Sequence, residues 1–424
     1  MIALEVRLWN TRIGAVAIDE QSGYCTFKYD SQFTQSGIQL SPIMMPLSDS
    51  IYEFRSLSLE TFGGLPGMIA DSLPDKYGNA LLNAWLISQN RSPDSANVIE
   101  RLCYIGTRGM GALEYFPDKY KALKKSEELD INQLVDISNQ ILNQKLDVTQ
   151  HLKDDIQQII TVGTSAGGAR AKVIVAYHPK LNLIKSGQVD CGPGYTYWIM
   201  KLDGVNQVDS SSHTRVEYAY YLMAKAAKIT MSESKLLKKD GYFHFMTKRF
   251  DRVEKNDGKM DKLHMQTLGA ILHSDYNEPG TLSYEEAAKV MVRMKLKSSE
   301  IKEFYRRMVF NIMSRNQDDH VKNTSFLMNR KGEWSLSPAY DITFSYNPFG
   351  QWTSSHQMLI NGKRKDFTLD DLLNTAYTMG VSKDEAHHII NDIKQALIEW
   401  ETYATQAEVE TATIDFIKNQ FIFF

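Results

Sequence analysis

The sequence predicts an α+β protein: a mixed α/β first part followed by a mostly helical last part. Three observations carry this. Short apolar runs rich in β-branched and aromatic residues, bounded by Gly, Asn and Asp, cluster before residue 250. Beyond Arg252 the apolar residues recur mostly at spacings of three and four. With 424 residues, the chain is long enough for two or three domains with full cores.

Taken in order, residues 2–8 and 15–18 read as strands around a hairpin turn at 10–14, and 24–29 as a third strand. The stretch 63–78 is rich in Gly and Pro and reads as turns, with a helix over 79–89. Further helices are expected over 131–146 and 154–161. Strand signals return at 171–177, 196–202 and 242–246. Between them, a helix over 214–229 places Val216, Tyr220, Met223 and Ala227 on one face. Helical periodicity then covers 284–296, 298–314, 369–379, 383–405 and 408–420, with Ser298 expected as an N-cap. The implied division is an N-terminal α/β subdomain over 1–150, a nucleotide-covering part over 151–250 and an all-helical part over 251–424.

Composition narrows the function classes. With 43% apolar and 23% charged residues, the chain is an ordinary globular one. A net charge of −3 argues against free, nonspecific DNA binding, which needs a basic field. Local basic clusters (Lys119, Lys121, Lys124 and Lys125; Lys235, Lys238 and Lys239) read as solvated helix faces. Cys25, Cys103 and Cys191 are too few and too widely spaced for a disulfide framework or a zinc site, which points to a reducing, cytoplasmic setting. No apolar run approaches the ~18 residues of a membrane span, and the first residues lack the order of a signal peptide.

The chemistry concentrates in three places. Asp318 precedes Asn323 by five positions, the spacing of a catalytic loop in which the aspartate receives a hydroxyl proton and the asparagine holds Mg²⁺. A hairpin expected between Thr324 and Ala339 returns the chain, so that Asp341 can reach the same ion. Asp319 is a rival to Asp318 but lacks the spacing, and His320 reads as a hydrogen-bonded residue that shapes the loop. The second place is Ser165, Ala166, Gly167, Gly168 and Ala169, followed by Arg170 and Lys172 at the start of a strand. Small residues there let backbone N–H groups approach phosphate oxygens. The third is Lys201, which closes a buried strand and is placed to meet nucleotide phosphates, with Glu217 a possible partner. Lys248-Arg249-Phe250 follows as a candidate adenine-docking segment, although Phe250 equally fits a plain core residue.

Together these residues resemble the HipA family of bacterial serine/threonine kinases, the toxin halves of toxin–antitoxin pairs. The likeness extends to Gly63–Gly67, Asp71–Asp75, Gly106–Leu113, His356–Lys363 and Asp366–Thr368. It implies a protein-kinase-like, bilobal fold with Asp318 as catalytic base and Asn323 and Asp341 as Mg²⁺ ligands. ATP would be held by Lys201 and the loop Ser165, Ala166, Gly167, Gly168 and Ala169, with Lys172, Lys248, Phe250, His320 and Lys322. Ser165 falls where family members autophosphorylate and switch themselves off, since a dianionic phosphoserine cannot share the pocket with ATP phosphates. The resemblance further implies an aminoacyl-tRNA synthetase as substrate, with glutamyl-tRNA synthetase the first guess. The implied partner is a HipB-like helix-turn-helix antitoxin, with DNA met only through it. Where the family often has a glutamate before the phenylalanine, this chain has Lys248 and Arg249. A non-catalytic corepressor and a small-molecule kinase are the alternatives.

Overall fold

The structure, a computed structural model, describes residues 2–119, 128–143, 159, 163, 170–205, 212–255 and 260–424. The chain divides into two compact units, one of Met1–Gln39, Leu47–Thr214 and Lys235–Met265, the other of Leu40–Pro46, Arg215–Ser234 and Gln266–Phe424.

The first unit opens with an antiparallel sheet of β1 (Ile2–Leu8), β2 (Thr11–Ile18), β3 (Cys25–Tyr29), β4 (Ile51–Tyr52) and β5 (Leu113–Phe116), in the order β4-β3-β2-β1-β5. The expected hairpin forms, but its turn is only Trp9 and Asn10, both left-handed at φ 50° and 67°. A two-residue turn of this hand matches the twist of the paired strands. Gly14 belongs to β2 instead, paired with Val6 and Tyr29, and its lack of a Cβ permits the Lys28 carbonyl oxygen to approach to within 2.3 Å of where one would lie. The stretch read as turns contains the short helix Gly67–Ala70 and is preceded by another, Leu59–Phe62.

A second sheet in the same unit contains β6 (Lys172–His178), β7 (Leu183–Ser186), β8 (Thr196–Lys201), β9 (Ser234–Lys239) and β10 (Tyr242–Lys248), in the order β7-β6-β8-β10-β9. Lys235, Lys238 and Lys239 therefore lie on a strand, not on a helix face. The Lys235 ammonium sits 3.4 Å from the centre of the Tyr177 ring and 4.7 Å from that of Trp198, a cation–π arrangement that sequence periodicity does not reveal. Helices Lys76–Ser88 and Ile131–Leu142 bury Tyr77, Leu81, Leu134 and Val135 with Val173, Val175, Trp198 and Met200 of the sheet. The Tyr77 and Ser138 hydroxyls join the two helices at 2.7 Å. The helix expected over 154–161 lies outside the described residues, Ile159 apart.

The core of the second unit comes from helices His213–Ala226, Tyr284–Arg293, Ser298–Met313, Leu369–Thr378, Lys383–Ile398, Trp400–Gln406 and Thr411–Lys418. Fully buried Trp400 meets the Tyr220 ring edge-on at 5.3 Å, and its indole N–H donates to the Ile414 carbonyl. The helix expected over 383–405 breaks at Glu399. Ser298 is the first helical residue rather than the cap: Lys297 caps, its N–H donating to the Glu300 carboxylate. The stretch 251–424 is not all helical. It contains β11 (Arg252–Glu254), β12 (Met260–Lys262), β13 (His264–Thr267), β14 (Ser325–Met328) and β15 (Trp334–Leu336). β14 and β15 lie within the hairpin expected between Thr324 and Ala339, whereas β11, β12 and β13, of three or four residues, are too short to show alternation, so helical periodicity around them dominates the reading.

Candidate phosphoryl-transfer site

Helix Ser298–Met313 delivers the Asp318 loop. It ends with Arg315 in the left-handed region (φ 61°). The Asn316 N–H returns to the Asn311 carbonyl at 2.9 Å and that of Arg315 to the Ile312 carbonyl at 3.4 Å. This is a Schellman stop, here built on an arginine where glycine is usual. The guanidinium of Arg315 lies 4.5 Å from the Tyr346 ring centre and donates to the Gln420 carbonyl. The loop therefore leaves a buried, firmly terminated helix.

The two adjacent carboxylates then part company. The Asp318 side chain is 45% exposed, whereas that of Asp319 is 1% exposed. Asp319 accepts from the Gln357 N–H at 2.7 Å and the Tyr284 hydroxyl at 2.9 Å, and pairs with His356 Nδ1 at 2.9 Å. Asn323 Nδ2 donates to the Asp318 carbonyl at 2.7 Å, which leaves Oδ1 as the atom of that amide able to ligate a cation.

The predicted hairpin is present as β14 paired with β15. Its return is fixed at three points. Leu336 N–H donates to Glu300 at 2.7 Å, the Arg307 guanidinium to the Ser337 carbonyl at 2.9 Å, and Ala339 N–H to the Thr230 carbonyl at 2.8 Å. The Tyr340 hydroxyl then donates to the Lys322 carbonyl at 2.6 Å and also meets the Ser325 hydroxyl. Asn323 and Asp341 each follow directly on a partner in that Tyr340–Lys322 bond. Asp341 is left-handed, at φ 54°. Among the described residues, no group of three or more His, Cys, Asp or Glu side chains could hold a metal. An asparagine and one carboxylate suit a Mg²⁺ that keeps its waters and binds phosphate.

His320 is not held as expected. Its Nδ1 is buried without a partner among the described residues, and Nε2 is 3.9 Å from Asp318 Oδ1, beyond hydrogen-bond length. Its ring instead faces Tyr276 at 5.6 Å, while the Lys322 ammonium lies 4.4 Å from the same tyrosine.

In the first unit, Lys201 closes β8, in register with Lys172 of β6 and Phe245 of β10. Lys248 ends β10 opposite Trp198, and Phe250 is half-buried. The Lys172 side chain is only 4% exposed, its ammonium 3.6 Å from Asp75. Asp75 also caps helix Lys76–Ser88, accepting from the Gly78 N–H at 2.6 Å. Ser165, Ala166, Gly167, Gly168 and Ala169 lie outside the described residues.

Sequence reasoning missed a buried clamp just past Lys248. Asp251 is fully buried between Arg249 and Arg252, 2.7 Å from each. The three side chains grip the loop at Gly109–Gly111. Gly111 N–H donates to Asp251 at 2.7 Å, Arg249 and Arg252 both donate to the Gly109 carbonyl, and Arg252 also to that of Gly111. Burial alone would push the Asp251 carboxyl up, but the two guanidinium charges hold it well below the usual range. Burial draws Arg252 down to about 10. The Gly106–Leu113 motif signalled the loop, but nothing local pairs it with a segment so distant in the chain.

A strand-rich region followed by helices that present an aspartate on a polar loop defines a kinase-like α+β fold, the class the sequence predicts. The chain belongs to the HipA family: the family's N-terminal domain matches residues 4–116, and the HipA-like C-terminal domain matches residues 164–400, more than half of the chain. Its fold is similar to that of the Shewanella oneidensis MR-1 HipA, solved as a toxin–antitoxin complex with HipB and operator DNA. That match has a TM-score of 0.67 at 16% identity and covers 98% of this chain and 95% of that one. The Helicobacter pylori proinflammatory kinase CtkA matches with a TM-score of 0.34 and 13% identity over 60% of this chain and 92% of that one, too distant to argue from. A putative kinase of Haemophilus influenzae is 27% identical over 153 residues. That stretch is 34% of this chain and 43% of the Haemophilus protein, under half of that relative's length. No described helix is long and apolar enough to cross a membrane.

Proposed function

We propose that this chain is an ATP- and Mg²⁺-dependent serine/threonine protein kinase, the toxin of a toxin–antitoxin pair. One observation carries the reading: Asp318 keeps its carboxylate 45% exposed beside the fully buried Asp319, with Asn323 bonded to its carbonyl and the amide oxygen of Asn323 left over. A serine or threonine hydroxyl placed against Asp318 gives it a proton. The hydroxyl oxygen bonds to the γ-phosphorus as the bond to the ADP oxygen breaks. Asn323 and Asp341 would hold Mg²⁺, which neutralises phosphate charge when bound. By the family resemblance, Lys201 would meet the α- and β-phosphates and Ser165, Ala166, Gly167, Gly168 and Ala169 would serve them, with Lys248, Phe250, His320 and Lys322 as the remaining nucleotide-binding residues. Lys172 is a weaker member, being committed to Asp75.

The substrate by family resemblance is an aminoacyl-tRNA synthetase, first of all glutamyl-tRNA synthetase, and Ser165 is the site of self-inactivation. The Shewanella complex motivates a HipB-like helix-turn-helix antitoxin as partner, through which DNA is met. The net charge of −3 suits a chain that leaves phosphate contacts to that partner.

The test is intact-mass spectrometry of wild type and Asp318→Asn after incubation with Mg²⁺ and ATP. The wild type is expected to gain one phosphate, mapped to Ser165, and the variant none. Equal gain in both removes Asp318 from the base role; no gain in an initially unmodified wild type removes the kinase reading.

A further inference from the structure

Both backbone groups of Asp318 are occupied. Its N–H donates to Ser345 Oγ at 3.1 Å, and its carbonyl accepts from Asn323. The preceding carbonyl, of Gln317, accepts from Gln357 Nε2 at 3.4 Å, and the following side chain is the buried Asp319. Ser345 in turn donates from Oγ to Asn316 at 3.0 Å and from its N–H to the Arg315 carbonyl at 3.2 Å. Asn316 continues to Asn311 at 2.9 Å, Asn311 to the Tyr284 hydroxyl at 3.1 Å, and Tyr284 to Asp319. The chain of bonds thus closes on both sides of an aspartate whose own carboxylate stays half-exposed.

Four of these bonds tie the loop to the segment Ser345–Gln357, which has neither helix nor strand. Within it, Asn347 N–H reaches the Thr353 carbonyl at 3.1 Å. Burying a carboxylate without an arginine or lysine is costly unless donors surround it. Asp319 has no lysine or arginine partner among the described residues; its compensation is Tyr284, Gln357 N–H and His356. A carboxylate only accepts, so Nδ1 of His356 carries the proton; Nε2 is buried with no partner among the described residues. Such an arrangement costs more than an apolar core would, for a loop that only had to fold.

We infer that Asp319, His356 and Ser345 are positioning residues, a brace that fixes the Asp318 carboxylate for proton acceptance. The inference rests on the kinase reading above. Displacing a reacting group by about 1 Å costs on the order of 100-fold in rate while leaving ligand contacts elsewhere intact.

The experiment compares wild type, Ser345→Ala, His356→Leu and His356→Asn in the full chain. Asparagine places an amide N–H where Nδ1 stood and is the conservative rescue. Two readouts are taken: hydrogen exchange of peptides covering 315–323, and the initial rate of γ-phosphate transfer from ATP to the chain itself over a range of ATP concentrations. Ser345→Ala and His356→Leu are expected to lower the saturating rate at least ~10-fold with KM for ATP within about twofold, while 315–323 exchanges faster. His356→Asn is expected to recover most of the rate. The brace is overturned if both variants keep the wild-type rate, if KM rises in step with the loss, or if His356→Asn is no better than His356→Leu. A wild type that transfers nothing overturns the kinase reading instead. Exchange then decides the brace alone, which fails if 315–323 exchanges no faster in His356→Leu than in wild type.

Discussion

At the scale of single residues, the sharpest energetic commitment is Asp251. Its charge sits between two guanidinium groups with no access to water. Removing it leaves two buried cations facing each other, a change worth roughly 3–5 kcal/mol. Asp251→Ala is therefore expected to lower the urea midpoint of the first unit strongly. The pH dependence has a definite sign. A carboxylate held below its unfolded value, about 3.9, contributes stability above that pH and loses it as pH falls through the folded value. Wild type should thus lose stability from about pH 4 downward, and Asp251→Asn should lose less over the same range. Parallel acid limbs for the two proteins in urea titrations would mean that Asp251 is not ionised in the folded chain.

At the scale of elements, helix Lys76–Ser88 depends on Asp75 twice: once as N-cap, once as the anionic partner of buried Lys172. Asp75→Asn keeps an oxygen for the Gly78 N–H but removes the charge beside Lys172. Asp75→Ala removes both, so it should cost about 1 kcal/mol more than Asp75→Asn, the worth of a cap. Denaturant midpoints of the two variants check this, and identical midpoints would show that the cap contributes nothing. The same helix shows what a sequence makes legible. Its apolar face was readable from periodicity, and Asp75 lay within a recognised motif, but the pairing with Lys172 is tertiary and leaves no local trace. In the candidate site, Asp318 and Asn323 were readable because their relation is a five-residue spacing, realised in one hydrogen bond. Ser345 was not, and His356, although inside a recognised motif, carried no sign of its pairing with Asp319, since both meet the loop only after an irregular segment folds back. The short strands β5, β7 and β9 escaped for another reason: each is half-determined by its neighbours in the sheet rather than by its own alternation.

At the scale of the whole molecule, nucleotide binding offers a measurement that needs no knowledge of the protein substrate. A ligand that binds only the folded chain stabilises it by about 2.7 kcal/mol at a hundred times its Kd, a shift of several degrees in Tm. Mg²⁺ with ATP is expected to raise the melting temperature more than ATP alone. On the proposed reading, the excess measures the ion that Asn323 and Asp341 would hold. Asp341→Asn is the suitable variant because asparagine tolerates the left-handed backbone found there, so the fold is kept while the charge is lost. It should retain the shift with ATP alone and lose most of the Mg²⁺-dependent excess, since an amide oxygen ligates more weakly than a carboxylate. Asp318→Asn should retain both, since a proton acceptor contributes to transfer and not to holding the nucleotide. If Asp341→Asn keeps the full excess, the ion is bound elsewhere and the metal assignment falls, while the role of Asp318 stands on its own test.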